Sequence, residues 1–208
     1  SGHDLGITDD SVFDLEVSDF DQDGAVDLVS VGRRDDDFEV ILWQNDTTPF
    51  DGLWADTNIG ASEGDLQEVV VADFDQDGWP DIAASSDFRE DFEIMLWKNN
   101  ALPFDGSWSS HDVGTTDVHA NSFAVADFNL DGKLDILSGS GDRGGAAELI
   151  LWVGQSEPFS GVWKMDEVGE IGESARWLDV ADMDGDGDAD VVVATQSMII
   201  IWENKTNQ

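Results

Sequence analysis

The sequence predicts an all-β fold that is built from four copies of one structural unit. An aspartate-rich stretch occurs four times, beginning at residues 19, 73, 127 and 182, so the copies are 54, 54 and 55 residues apart. Short runs rich in β-branched and aromatic residues flank each stretch, and no long window carries a helical period with caps. A repeat of about 50 residues with four strands has the size of a propeller blade. We therefore expect a single domain over residues 1–208, a β-propeller of four four-stranded blades.

The first repeat illustrates the four strands, which we predict at residues 12–17, 27–31, 38–43 and 53–59. The third strand of each repeat ends in a tryptophan: Trp43, Trp97, Trp152 and Trp202. Three of these strands are followed by a Phe-x-Gly-x-Trp segment, at residues 50–54, 104–108 and 159–163. We interpret these repeated aromatic residues as core and hairpin packing in preference to a sugar-stacking surface.

The two ends of the sequence complement each other. Residues 1–8 resemble residues 110–115, which lie on a fourth strand, whereas residues 199–204 form a third strand without a fourth strand after it. Pairing the two would cover sheet edges that otherwise promote association. We therefore expect the N-terminal strand to complete the C-terminal blade, either within one chain or between chains as an eight-bladed dimer or a polymer.

The aspartate-rich stretches have the pattern D-x-[DN]-x-D-G-x-x-D, and they span residues 19–27, 73–81, 127–135 and 182–190. The pattern supplies side-chain oxygens at positions 1, 3, 5 and 9, a backbone carbonyl at position 7, and a glycine at position 6 for a sharp turn. Calcium is bound by six to eight oxygens, and it would offset the repulsion between the crowded carboxylates. An EF-hand would need Glu at position 12, where Ser30, Ala84, Ser138 and Val193 stand.

We predict about four calcium ions, one per repeat. The predicted side-chain ligands are Asp19, Asp21, Asp23, Asp27, Asp73, Asp75, Asp77, Asp81, Asp127, Asn129, Asp131, Asp135, Asp182, Asp184, Asp186 and Asp190. The predicted carbonyl ligands are Ala25, Trp79, Lys133 and Asp188. Because the third loop contains Asn129 in place of an aspartate and also Lys133, we expect it to bind most weakly.

The charge of the chain restricts its partners. With 47 acidic and 9 basic residues the formal net charge is -38, which argues against nucleic acids and anionic membranes as partners. No apolar run approaches the roughly 18 residues that span a bilayer, so we expect a soluble protein without membrane insertion. The chain has 3 His, no Cys and no Tyr, and no nucleophile with a base beside it is evident. We therefore expect no catalysis.

The four loops, their β-rich flanks and the repeat length resemble the FG-GAP or VCBS repeat family. The resemblance covers almost the whole chain. It implies a calcium-bearing β-propeller with an extracellular role in adhesion or recognition, because the family includes integrin α-subunit head domains and lectins. It does not identify a ligand.

Further candidate sites lie outside the loops. Basic residues expected in the connections between second and third strands could bind an acidic glycan or another subunit, although pairing with nearby acids is the favoured interpretation; they are Arg33, Arg34, Arg89 and Arg143. Asn45 and Asn204 match the glycosylation pattern. Trp79 and Trp177 are outside the repeated set, and we expect Trp79 to be the more exposed. The leading hypothesis is a non-catalytic binding, adhesion or assembly module, and the alternatives are a lectin and a structural subunit of a surface filament.

Overall fold

A computed structural model describes residues 2–6, 11–34, 37–62, 64–88, 91–116, 120–140 and 148–206. The chain divides into two compact units, one formed by residues 1–89 with 94–112 and the other by residues 90–93 with 113–208. Within the described ranges the secondary structure is β apart from one 3-10 turn, Pro103–Asp105. The prediction of an all-β fold is therefore confirmed.

In the described part of the chain fifteen strands form four sheets, in which strands that follow one another in the chain are neighbours. Blade 1 comprises β1 Ser11–Ser18, β2 Asp27–Arg34, β3 Asp37–Gln44 and β4 Ala55–Ser62; blade 2 comprises β5 Asp65–Ala72, β6 Asp81–Phe88, β7 Asp91–Lys98 and β8 Ser109–Thr116. Blade 3 comprises β9 Ala120–Ala126, β10 Asp135–Ser140, β11 Glu148–Val153 and β12 Lys164–Glu170; blade 4 comprises β13 Trp177–Ala181, β14 Asp190–Ala194 and β15 Ile199–Trp202. Each blade follows one predicted repeat, as expected for a propeller.

The middle strands of each blade are apolar because they are buried on both sides. In blade 1 the antiparallel register places Val29 opposite Leu42 and Val31 opposite Val40, and all four side chains are buried. In the first unit β5 packs against β1 and β2, so that the core lies between two neighbouring blades. In the second unit β13 packs against β9 and β10 in the same way, around Leu137, Leu149 and Val193.

One hydrogen bond repeats at both of these blade contacts. The backbone N–H of Val69 in β5 donates to Asp14 Oδ2 in β1 at 3.0 Å. The backbone N–H of Leu178 in β13 donates to Ser122 Oγ in β9 at 2.9 Å. Leu178 holds the repeat position of Val69, and Ser122 holds that of Asp14. The repeat in the sequence thus reproduces both the blade and the way in which one blade joins the next.

Each tryptophan that ends a third strand lies against a glycine from the preceding repeat. A Cβ atom on Gly60 would lie 2.1 Å from Trp97 Nε1, and one on Gly114 would lie 2.4 Å from the Trp152 ring. A Cβ atom on Gly6 would lie 2.1 Å from the Trp43 ring. The segment 2–6 therefore contacts blade 1 as fourth strands contact the blade that follows them.

Residues 2–6 nevertheless form no strand, and the sheet of blade 4 has three strands among the described residues. Its completion by the N-terminal strand, within one chain or between chains, stays a prediction.

The Phe-x-Gly-x-Trp segments form hairpin turns that the indoles close. Trp54, Trp108 and Trp163 each donate Nε1–H to the carbonyl of the proline five residues earlier, at 3.3, 2.9 and 3.0 Å. The packing role predicted for the repeated aromatic residues is confirmed for these three tryptophans, whereas Phe50 is 72% exposed. The expectation for the other two tryptophans is wrong, because Trp177 is 65% exposed whereas Trp79 is half-buried in its loop.

Candidate metal centre

In all four aspartate loops the first aspartate accepts, through Oδ2, the backbone N–H of the glycine at position 6. Its Oδ1 accepts from the position 5 aspartate in the first three loops and from Gly185 in the fourth. In the first loop Asp19 Oδ1 accepts from the backbone N–H of Asp23 at 3.1 Å, and its Oδ2 accepts from Gly24 at 3.0 Å. Gly24 has a φ of 92°, and the glycines at the same position of the other loops have φ values between 85° and 94°. Because side chains disfavour this left-handed backbone, the glycine allows the chain to curl around its first aspartate.

The ninth aspartate of each loop is buried and connects the loop to the end of the third strand. Asp81 Oδ2 accepts from the N–H of Phe74 inside the loop at 3.1 Å, and its Oδ1 accepts from the N–H of Asn99 after β7 at 2.9 Å. Asp27, Asp135 and Asp190 make the equivalent pairs of bonds. The position of these carboxylates is thus fixed by backbone donors from two elements.

Three loops bring a cluster of carboxylates together, with one oxygen from each member within 4.8 Å of the others. The clusters contain positions 1, 3 and 9: Asp19, Asp21 and Asp27; Asp73, Asp75 and Asp81; Asp182, Asp184 and Asp190. In the third loop Asn129 replaces the middle carboxylate, and its Nδ2 donates to Asp135 Oδ1 at 3.4 Å. The sequence pattern therefore located the carboxylates that converge, and their role as metal ligands stays a prediction.

The aspartates at position 5 stabilise the turn that follows them in each loop. Asp23, Asp77, Asp131 and Asp186 each accept, through Oδ1, the backbone N–H of the residue two positions later, at 2.7 to 3.1 Å. These bonds shape the turn that presents position 7. Metal coordination by the position 5 side chains and by the carbonyls of Ala25, Trp79, Lys133 and Asp188 stays a prediction.

Burial disfavours the charged form of several loop carboxylates. Burial raises the pKa of Asp27 to about 6 and the pKa of Asp81 to about 7, and the neighbouring loop aspartates add to both increases. Burial also raises the pKa of Asp135 and of Asp184. A bound cation would reverse this effect by favouring the ionised form. The donors are all oxygens, with no nitrogen or sulfur ligand, and this set suits a hard divalent cation such as calcium.

The residue that follows the third-strand tryptophan is a site residue that the sequence pattern did not reveal. Gln44 Nε2 donates to Asp21 Oδ2 at 3.0 Å. At the same position in blade 2, Lys98 forms an ion pair with Asp75, and its Nζ lies 3.0 Å from Asp77 Oδ2. The second loop therefore contains an ammonium group beside a predicted ligand, whereas the sequence had singled out only the third loop as weak. A comparison of the four repeats could have drawn attention to this position, because its residue differs in every repeat: Gln44, Lys98, Val153 and Glu203.

In each of the two units one asparagine connects two neighbouring loops. Asn99 Nδ2 donates to the carbonyl of Pro80 in its own loop at 3.2 Å and to the carbonyl of Phe20 in the first loop at 3.1 Å. Asn204 Nδ2 donates to the carbonyls of Ala189 at 3.3 Å and Phe128 at 2.8 Å, which belong to the fourth and third loops. We call Asn99 and Asn204 the bridging asparagines.

The two predicted glycosylation sites hold structural positions. Asn45 is buried, and its Nδ2 donates to the carbonyl of Val26 at 3.0 Å. Asn204 is one of the bridging asparagines. A glycan on either nitrogen would have to replace these hydrogen bonds, so the geometry favours a structural role, and glycosylation stays a prediction.

The predicted basic site is described only in part. Arg33 and Arg34 lie at the end of β2, not in the connection that follows it, and the Arg33 side chain is half-buried. Arg89 and Arg143 lie outside the described residues, as does His119.

The ring of His3 lies 5.4 Å from that of Phe50. Among the described residues no helix reaches the length and apolar character that crossing a bilayer requires.

Comparison with solved structures shows similarity in fold. The endo-arabinase from Bacteroides thetaiotaomicron VPI-5482 matches with a TM-score of 0.54 and 14% identity, over 90% of this chain and 73% of that one. The V. cholerae biofilm matrix protein Bap1 matches with a TM-score of 0.42 and 17% identity, over 91% of this chain and 37% of that one. At these identities the endo-arabinase similarity shows the fold alone, and the Bap1 similarity is too low to support an argument.

No curated protein matches the sequence significantly. The model of the FG-GAP-like repeat matches three times, at residues 19–84, 73–138 and 127–193, so that the matches overlap and run without a gap from the first loop into β14. Each match begins at the first aspartate of a loop whose geometry is described above. By its sequence matches and its repeated blades, the chain belongs to the FG-GAP-like repeat family.

Proposed function

We propose that this protein is an extracellular binding module whose loops are held by calcium and which has no catalytic activity of its own. The observation that carries the proposal is the convergence of three carboxylate oxygens, all within 4.8 Å, in each of three repeated loops. About four ions are expected, one per repeat. When bound, calcium would supply the positive charge that keeps these carboxylates ionised.

The chain's own residues provide the rest of the mechanism. Backbone N–H groups orient the first and ninth aspartates, and the ninth aspartate joins its loop to the third strand. A loop fixed in this way presents the surrounding surface in one conformation, which lowers the entropy cost of binding a partner. We expect a protein or glycan as that partner, and we expect neither nucleic acid binding nor membrane insertion, because the net charge is -38.

The absence of catalysis is proposed from the chemistry of the residues. Backbone donors and neighbouring carboxylates engage the patterned aspartates, and the sequence contains 3 His, no Cys and no Tyr. The similarity to an endo-arabinase does not transfer that activity at 14% identity. Incubation with arabinan provides the direct test, and turnover that persists in a variant with disabled loops would show that the protein is an enzyme.

A lectin is the second candidate, and a cavity in the second unit favours it. The cavity has a volume of about 310 Å³, and its lining includes Phe128, Trp202, Glu203 and Lys205, an apolar wall with polar groups at its edge. In the first unit, however, Phe104 and Trp108 pack against the equivalent core, with the Trp108 ring 6.2 Å from Phe20. The cavity therefore also fits a protein segment with aromatic side chains. The third candidate is a filament subunit that exchanges terminal strands.

The experiment that tests the proposed function counts bound ions by native mass spectrometry and follows thermal unfolding with calcium, with magnesium and with chelator. We expect about four calcium ions and a lower melting temperature after chelation. Asp73→Asn should remove one ion, whereas Asp51→Asn, an exposed change outside the loops, should remove none. A protein that binds no calcium and melts at the same temperature in chelator would refute the proposal.

A glycan array probed in calcium separates the two binding roles. Calcium-dependent binding to a defined sugar class supports the lectin, and a lack of binding across neutral and acidic sugars favours a protein partner.

A further inference from the structure

The third strand of blade 4 exposes two apolar side chains whose equivalents in the other blades are buried or partly buried. Ile199 is 77% exposed and Ile201 is 57% exposed. At the position of Ile199 the other three blades carry Val40, Ile94 and Leu149, and each of these is 0% exposed. The exposure therefore belongs to blade 4 and not to the repeat position. We call Trp177, Ile199 and Ile201 the blade 4 patch.

The first strand of blade 1 shows the complementary difference. Leu15 is 52% exposed, whereas Val69 and Phe123, at the same position of blades 2 and 3, are 1% and 2% exposed. Phe13 and Val17, which lie two residues to either side on β1, are also exposed, at 44% and 56%. We call Phe13, Leu15 and Val17 the blade 1 patch.

The packing inside the first unit shows how these two patches are normally used. Val40 and Leu42, on the face that corresponds to the blade 4 patch, belong to one core with Leu66 and Val69 of the next blade. Val69 holds the position that corresponds to Leu15 in the blade 1 patch. The two exposed patches are therefore the two halves of the contact that joins one blade to the next.

We propose that the blade 4 patch binds the blade 1 patch of a second copy of this chain, which continues the internal contact between blades across two molecules. The proposal goes beyond the binding role described above, because it assigns a surface for self-association that needs no other ligand. Burial of apolar side chains supplies the driving force, and exposed patches of this kind mark association sites.

Trp177 gives the intermolecular contact its own character. In the internal contacts Asp14 and Ser122 accept a backbone N–H from the next blade. Trp177 holds this position in blade 4, and an indole has a donor but no acceptor. Blade 4 thus replaces a hydrogen bond by a large apolar side chain, 65% exposed, of the type that dominates binding energy at interfaces.

Sedimentation velocity over a range of protein concentrations, in calcium and moderate salt, tests the proposal. Salt is included because the net charge of -38 opposes association. We expect concentration-dependent association of the unmodified protein, and loss of association in both Ile199→Glu and Leu15→Glu. Val162→Glu is the control, because Val162 is 94% exposed but lies outside both patches.

Mixing the two variants gives the sharpest result. Ile199→Glu keeps an intact blade 1 patch and Leu15→Glu keeps an intact blade 4 patch, so the mixture should form dimers that do not grow further. If each patch instead bound the identical patch of a second molecule, mixing the two variants would not restore association.

The proposal is overturned if the unmodified protein is monomeric at every concentration, or if association survives both substitutions. Calcium-dependent thermal unfolding of each variant shows whether it folds and whether the calcium-binding role holds, independently of association. If either glutamate variant fails to fold, Trp177→Ser provides the milder change to the same interface.

Discussion

Lys98 places an ammonium group beside the predicted metal ligands of the second loop. Its ammonium group pairs with Asp75 and Asp77, so calcium would have to displace it in order to bind these carboxylates. Both partners are partly exposed, so each pair contributes only about 0.2–1 kcal/mol. We expect Lys98→Gln to raise the calcium affinity of the second loop by roughly two- to tenfold, since about 1.4 kcal/mol corresponds to a factor of ten. Isothermal titration calorimetry measures this change.

The matched control is Lys164→Gln, which removes an exposed ion pair with Asp166 away from the loops and should leave the affinity unchanged. The effect of Lys98→Gln should also disappear in a background that carries Asp73→Asn. An equal effect in both backgrounds would show that Lys98 acts on the overall charge and not on its own loop.

The buried aspartates predict an unusual dependence of stability on pH. Burial raises the pKa of Asp27 to about 6 and that of Asp81 to about 7, so the folded protein without calcium binds more protons than the unfolded chain. The free energy of unfolding should therefore rise as the pH is lowered from about 8 to about 5 in chelator. Calcium affinity should fall over the same range, because its ligands must be deprotonated. Thermal unfolding across this pH range measures both trends.

Asp81→Asn should flatten the chelator profile near neutral pH, whereas the exposed change Asp51→Asn should not. A metal-free protein whose stability falls steadily on acidification would contradict this account.

Among individual residues, the sequence predicted those whose role depends on local spacing. Asp73, Asp75 and Asp81 lie within nine residues of one another, and the D-x-D-x-D-G pattern alone brings them together. Lys98 was missed because it reaches the loop from the end of a strand 23 residues after Asp75. Such a contact depends on the register of the sheet, which spacing alone does not reveal.

At the scale of single elements, the contact between Gly60 and Trp97 makes fourth strands sensitive to small changes. A Cβ atom at Gly60 would lie 2.1 Å from Trp97 Nε1, and Trp97 is fully buried. Gly60→Ala should therefore destabilise the fold by about 1–3 kcal/mol, the usual cost of overpacking. Gly52→Ala should have almost no effect, because no atom lies within 4 Å of the added carbon. Urea unfolding of both variants measures the difference, and equal stabilities would show that Trp97 relaxes freely.

The strands themselves could be predicted well, because alternating apolar runs and turn residues repeat four times. The strand predicted at 38–43 is observed as Asp37–Gln44, and the strand predicted at 27–31 is observed as Asp27–Arg34. The longer observed β2 is the reason that Arg33 and Arg34 lie on a strand and not in a connection. The N-terminal strand could not be established in this way, because a fourth strand forms only against a third strand, and its own sequence does not specify which one.

For the whole molecule, the excess of 47 acidic over 9 basic residues implies self-repulsion in the folded state. Salt screens such repulsion, with a Debye length of about 10 Å at 0.1 M. We expect the melting temperature in chelator to rise with added sodium chloride, and to rise much less in calcium, where bound ions already reduce the charge. Choline chloride should act like sodium chloride, since screening depends on ionic strength. A melting temperature that does not change with either salt would contradict this prediction.

The bridging asparagines imply that the loops do not respond to calcium one by one. Asn99 joins the second loop to the first, and Asn204 joins the fourth to the third, so ordering of one loop positions the carbonyl contacts of its neighbour. The equivalent residue in blade 3 is Gly154, which has no side-chain amide to make such a bridge. Calcium should therefore load cooperatively in two pairs. In a titration followed by native mass spectrometry, species with even numbers of ions should predominate over those with odd numbers.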